Sequence, residues 1–182
     1  SIKSKTEVVF PKNEATDMFY TYQDIAVKDR EERQNYDCIL KRGVSVLVLD
    51  SRLEIRPDYI KSFKYTITGN CGNVFNPSTG HCLEKTTLTK TYDISGNQYK
   101  GKKIMFSSYF FLGEDNVTDI TLATQSVDTE NNVAKELSFE NVHMVKGKMT
   151  TYKGPFLSTH SAASFIIDSP TIPDSGFSTE FE

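Results

Sequence analysis

The side chains that catalysis or metal binding would call on are few in this chain. It has three histidines, His81, His143 and His160, and three cysteines, Cys38, Cys71 and Cys82. His81 and Cys82 are adjacent, and Cys71 lies upstream, so three metal ligands fall within one short stretch. A closed structural zinc site takes four ligands, and no fourth soft or imidazole donor is nearby in the sequence. Turn chemistry accounts for the cluster more simply. Cys71 and Cys82 enclose ten residues rich in Gly, Asn, Pro and Ser, and this excursion brings its two ends within reach of a disulfide. A bridge closing so short a loop stabilises by about 3 kcal/mol in the chain-entropy picture. Cys71–Cys82 is therefore the candidate disulfide, with two unrelated reduced thiols as the alternative. Cys38, inside the strand-like run Tyr36–Leu40, reads as a small buried hydrophobe.

Other catalytic patterns are missing. There is no Gly-x-Ser-x-Gly elbow, and no cysteine carries the local signature of a thiol protease. Glu31 with Glu32, and Glu54 with Asp58, are the nearest approach to paired carboxylates, and their charged surroundings read as solvated surface. Gly69 and Gly72 open no helix that would cradle a phosphate. The residues thus assign no catalytic group, no cofactor and no metal, and the chain reads as a non-enzyme. Aromatic residues are frequent, with 12 Phe and 9 Tyr but no Trp. Most of the Phe belong in a core. The run Met18–Tyr22 is the best candidate for an aromatic surface patch, with burial as the competing reading. Asn116-Val117-Thr118 matches an N-glycosylation acceptor at a turn.

The elements that would carry these residues are strands. Alternating apolar positions and β-branched residues dominate, and turn residues punctuate them about every ten positions. Strands are expected over Glu7–Phe10, Cys38–Leu49, Ile60–Thr68, Thr86–Ile94, Lys103–Leu112, Val117–Val127, Ala134–Val142, Met149–Tyr152 and Ala163–Ile167. The near-continuous apolar run Val46–Leu49 implies a strand buried on both faces. In Lys103–Leu112 both faces are also apolar, with Ile104, Phe106 and Phe110 on one and Met105, Tyr109 and Phe111 on the other. Leu47, Leu49, Ile104, Phe106, Phe110, Ile120, Leu122, Phe139, Phe165 and Ile167 are the expected core. Helix is confined to a weak signal over Asp17–Val27, extended by the charge run Lys28–Arg33, and a solvated loop is the preferred reading there.

Length and composition agree with this picture. The chain has 182 residues, 37% hydrophobic and 25% charged, enough for one domain with a core of its own. The formal net charge of −3 offers no basic surplus for nucleic acid. No apolar run approaches the roughly 20 residues of a spanning helix. Residues 1–170 are expected to form the β-sandwich, with 1–52 as a candidate remnant of a separate N-terminal domain and 171–182 as a tail or donated strand. The polar start at Ser1, without Met, suits a trimmed or mature form.

Two stretches carry a family resemblance. Asp17-Met18-Phe19-Tyr20, followed by the apolar strand with Leu40-Lys41-Arg42, resembles the "D-L-F-Y" and "L-K-R" elements of the fimbrillin and fimbrial-anchor proteins of Bacteroides-type bacteria. The run Lys148–Leu157, with Phe165-Ile166-Ile167-Asp168 beyond it, is similar to that family's Thr-x-x-x-Gly, "leu-phe" and closing "F-x-I-x-I-D" elements. Tyr109–Gly113 before a Thr-rich strand adds to the likeness, which covers about Asp17–Asp168. The resemblance implies an all-β fold, an antiparallel β-sandwich of transthyretin-like Greek-key topology. It also implies export to the cell surface or outer membrane, with a lipid anchor outside this chain. The implied work is assembly with other fimbrial subunits, or with copies of itself, by strand exchange. A cell-surface module binding a glycan or a host protein is the alternative.

Overall fold

The computed structural model of the protein describes residues 2–4, 7–10, 16–25, 35–159 and 164–171. The first short strands are β1 (Ile2–Ser4), β2 (Glu7–Val9), β3 (Phe19–Tyr20) and β4 (Lys41–Arg42). The body follows with β5 (Ser45–Asp50), β6 (Ile60–Gly69), β7 (Cys71–Gly72), β8 (Val74–Asn76), β9 (His81–Cys82) and β10 (Leu88–Asp93). Then come β11 (Met105–Leu112), β12 (Val117–Asp128), β13 (Val133–Val145), β14 (Met149–Lys153) and β15 (Ile166–Thr171). The described residues contain no α-helix, and Asn97–Tyr99 forms the one 3-10 turn among them.

Two sheets make the sandwich. One runs in the order β10-β6-β12-β13 and the other β15-β14-β5-β11-β7. The chain passes repeatedly from one layer to the other, so long-range pairings dominate. All pairings are antiparallel except β14 on β5, which is parallel, Met149 opposite Val46 through Lys153 opposite Asp50. Between the sheets, β6 sends Phe63, Tyr65 and Ile67 inward, β12 sends Ile120 and Leu122, β5 sends Leu47 and Leu49, and β11 sends Phe106, Phe110 and Leu112. Phe63 stacks on Phe106 with centroids 4.2 Å apart. Strand alternation alone places these residues, since i, i+2 and i+4 share a face.

The five-stranded sheet is buried on its other face as well. There Val46, Val48 and Met105 form one cluster with Tyr109 and Met149, and Val44, Phe75 and Phe111 form another with Phe10, Met18, Tyr20 and Cys82. The cover over the latter is built from a four-stranded sheet, β1-β2-β8-β9, and the two-stranded β3-β4. All six residues of β5 are buried, which is why its middle, Val46–Leu49, is continuously apolar rather than alternating. The four-stranded body sheet has a solvated face, and β12 there reads buried at every second position from Ile120 to Ser126.

Several expectations shift. The run from Cys38 is not strand until Lys41, and Cys38, Ile39 and Leu40 are exposed. Among the described residues no layer covers them, so apolar character alone misplaced the strand start. Residues 16–25 hold the short β3 and no helix, while 26–34 lie outside the described residues. The last strand starts at Ile166 rather than Ala163 and continues to Thr171. Ile167 is 60% exposed, because among the described residues no layer covers this edge strand, whereas Phe139 and Phe165 pack half-buried at the rim of the core. Residues 45–50 form β5 inside the five-stranded sheet, between β14 and β11. Of the tail, 172–182 lie outside the described residues.

Candidate functional site

The sheet edge formed by β14 and β15 is the most unusual arrangement in the molecule. Beneath it the turn Gly154–Ser158 is buried and firmly tied. Glu54 accepts from Leu157 N at 2.7 Å and Ser158 N at 3.0 Å, and Ser51 Oγ donates to the same carboxylate at 2.8 Å. Lys135 Nζ donates to Pro155 O at 2.6 Å and Ser158 O at 2.8 Å, and Ser126 Oγ donates to Leu157 O at 3.1 Å. A buried turn must pair its backbone groups, and here three side chains from three segments do so. Desolvation in that position lowers the ammonium pKa of Lys135 from its ordinary value.

The strand that leaves this base is held far more lightly. Among the described residues β15 pairs with β14 alone, Tyr152 opposite Ile167 and Lys153 opposite Ile166, with an irregularity between Met149 and Thr151. Phe165 lies on Phe139 at 4.9 Å and on Phe156 at 5.0 Å, and a Cβ on Gly154 would overlap its ring. Lys153 Nζ meets Asp168 Oδ2 at 2.6 Å, a pair that water reaches on both sides. Ile166 and Ile167 are exposed. The ladder, one ring and one ion pair hold the strand.

The neighbouring edge of the facing sheet, β13, is built differently. β13 is long but carries Glu136 and Glu140, and it is bulged near Asn141, whose φ of 57° is left-handed. Charge and a kink are what keep a sheet edge from pairing with another chain. In β15 the one charge, Asp168, is engaged by Lys153, and the ladder is irregular only at its far end, where Ser169-Pro170 falls between Asp168 and Thr171.

The residues singled out in the sequence scatter. Cys71 and Cys82 are free thiols here, Cys71 inside the main core and Cys82 against the second cluster. A Cβ on Gly72 would come 2.7 Å from Cys82 Sγ, so Gly72, not Cys71, faces Cys82. Burial pushes the Cys71 thiol up to about 12, with the neighbouring Cys82 adding to the shift, and burial also raises Cys82. Among the described residues no three His, Cys, Asp or Glu converge on a metal position. His81 Nδ1 lies 2.5 Å from Lys146 Nζ and 3.1 Å from Gly113 O, tying β9 to the turn after β13. His143 pairs with Asp119 in solvent at 3.1 Å. Asn116 is exposed in the turn before β12, whereas His160, Glu31 and Glu32 lie outside the described residues. Glu54 departs from its expected solvated face to become the tether described above, and Asp58 sits 3.6 Å from the buried Arg56. The Met18–Tyr22 run divides: Met18 and Tyr20 turn inward, Phe19 and Tyr22 outward.

No spacing signal announces Glu54, Ser126 or Lys135, because each reaches a backbone group more than twenty positions away or lies in an unremarkable strand or loop. Only the Gly154-Pro155-Phe156 pattern pointed at that place. The sequence profile of DUF6562, described as a family of unknown function, matches residues 1–180. The chain belongs to that family. No curated protein and no solved structure matches it. For this DUF6562 member the β14–β15 edge is thus the candidate site on geometry alone.

Proposed function

We propose that this DUF6562 chain is a non-enzymatic, exported fimbrial subunit or fimbrial anchor of the fimbrillin type, working by protein–protein assembly. The observation that carries the reading is the contrast at one edge between a fixed base and a lightly held strand. When β15 leaves, β14 offers its unpaired N–H and C=O groups, and the gap over Phe139 and Phe156 receives an apolar side chain. A strand donated by another subunit satisfies both, main chain giving affinity and alternate side chains giving specificity. The resemblance of Lys148–Asp168 to the fimbrillin pattern falls on this same segment.

Sedimentation velocity over a wide concentration range tests this. Concentration-dependent polymers are expected, and a synthetic peptide of residues 164–171 in excess should cap them. Gly154→Ala, which denies Phe165 its seat, should speed exchange of β15 and raise the polymer fraction. A chain that stays monomeric at every concentration, with Gly154→Ala and without, sinks the proposal. The alternative, a cell-surface module for glycan or host protein, draws support from a cleft at the far end of the sheet.

A further inference from the structure

We infer that the cleft between the β3–β4 ribbon and the Pro77–Gly80 turn binds a carboxylated saccharide. The cleft has a volume of about 340 Å³, near the lower bound for small-ligand pockets and suited to a mono- or disaccharide. It is separate from the assembly edge: β15 borders the five-stranded sheet on one side, and the β8–β9 hairpin follows β7 on the other.

Both walls are set before any ligand arrives. In the turn, Asn76 Oδ1 accepts from Ser78 N at 2.9 Å and Ser78 Oγ at 2.7 Å, and Gly80 N donates to Asn76 O at 2.8 Å. Gly80 has φ +74°, and a Cβ there would collide with the Tyr20 hydroxyl, so the turn and the ring close on each other only because residue 80 is glycine. Tyr20 is fixed from behind by Phe75, edge to face at 4.8 Å. On the opposite wall Gln23 Nε2 donates to Asp37 O at 3.0 Å. Preorganised walls spare a ligand the ordering cost that weakens most surface sites.

The lining dictates the class. Tyr22, half exposed, and Ile39, 75% exposed, present apolar area to the C–H face of a pyranose ring. Thr21, Gln23, Ser78 and Thr79 supply the hydroxyl and amide groups that hydrogen-bond sugar hydroxyls. Lys41, opposite Tyr20 in the ladder, is the one charged side chain among the described residues of the lining, which include no carboxylate. An ammonium in a lining whose described residues bring no acid favours a ligand that carries its own, which selects a uronic or sialic acid over a neutral sugar.

Saturation-transfer NMR titration of the full chain tests this with 3′-sialyllactose, a hyaluronan tetrasaccharide carrying glucuronate, and lactose as the neutral control. At least one acidic sugar should bind saturably and more tightly than lactose. Tyr22→Ala, a change at an exposed ring, should weaken it about tenfold, and Lys41→Gln should remove the preference over lactose. Absence of saturable binding by both acidic probes overturns the inference, as does equal binding of lactose, or binding that both variants leave unchanged. Sedimentation of the same samples separates the two ideas, because loss of sugar binding leaves polymer formation as it was and the reverse holds equally.

Discussion

The two faces of the five-stranded sheet are buried by different means. Its inner face meets a second sheet of long strands, where β6 and β12 pair over an extended register from Ile120 opposite Gly69 to Asp128 opposite Ile60. At its outer face, over Val44 and Phe111, the cover consists of strands of two or three residues. That cover is fastened by Phe10 on Phe111 at 5.4 Å, Phe75 on Phe111 at 4.7 Å, the Arg42–Asp17 pair at 2.5 Å, and two hydrogen bonds between Phe10 and Asn73, each 3.1 Å. A face closed by long registers opens only when the domain unfolds. One closed by a few rings lets go by itself, at the low end of the range of opening free energies within one protein.

Truncating a ring on each face is the sharpest way to break that contrast. Phe106→Ala removes a fully buried ring stacked on Phe63 and should cost about 3–5 kcal/mol in urea unfolding. Phe75→Ala deletes an equally buried ring on the outer face. Its cost should level off at about 1–2 kcal/mol, because the cover detaches before the sandwich opens. Equal losses for the two variants would mean that the cover and the sandwich unfold as one unit.

The thiols report the same difference without a mutation. Cys38 is exposed, Cys82 belongs to the cover and Cys71 to the inner core, so iodoacetamide at pH 8 should label them in that order. Each tenfold separation in rate between Cys82 and Cys71 reads about 1.4 kcal/mol between opening the cover and opening the sandwich. The pH dependence has a definite sign. A Cys71 pKa pushed up to about 12 keeps the folded thiol neutral, while the unfolded one ionises near its ordinary value. Its contribution is complete below that ordinary value and is lost as pH rises toward 12. Cys71→Ala should flatten this alkaline loss in urea titrations, and an unchanged slope would place its origin elsewhere. Under oxidising conditions a Cys71–Cys82 bridge requires Gly72 to swing aside. If intact mass shows that bridge forming without loss of the cover, the two faces are less independent than drawn.

The same division explains what the residue pattern disclosed. β5 and β11 were legible because a strand buried on both faces loses its alternation, and Val46–Leu49 and Lys103–Leu112 both do. β12 was legible for the opposite reason, a solvated face that keeps period two. The cover left almost no pattern. A strand of two residues has no period, and Met18, Tyr20 and Phe75 take their positions from contacts across distant parts of the chain. Cys38 and Ile167 depart from expectation because hydrophobicity says what a side chain prefers, not whether a layer exists to receive it. The tethers at the candidate edge were invisible for a related reason: Glu54 and Lys135 look like surface charges until the fold brings a buried turn beneath them.

The smallest effect bears on β15, which belongs to the inner sandwich by topology but resembles the cover in how it is held. Lys153 and Asp168 are both well solvated, so Lys153→Ala should change global stability by no more than about 1 kcal/mol. The pair nevertheless sits on the lightest-held strand, next to a base that Glu54, Ser126 and Lys135 keep in place. Deleting it therefore shifts the local equilibrium of β15 by the same small amount without touching the reference against which that strand closes. Amide exchange should rise severalfold for β15 while β5 and β11 stay unchanged. Faster exchange through β14 and β5 as well would mean that the edge is continuous with the core, and would take away the displaceable strand on which assembly by exchange depends.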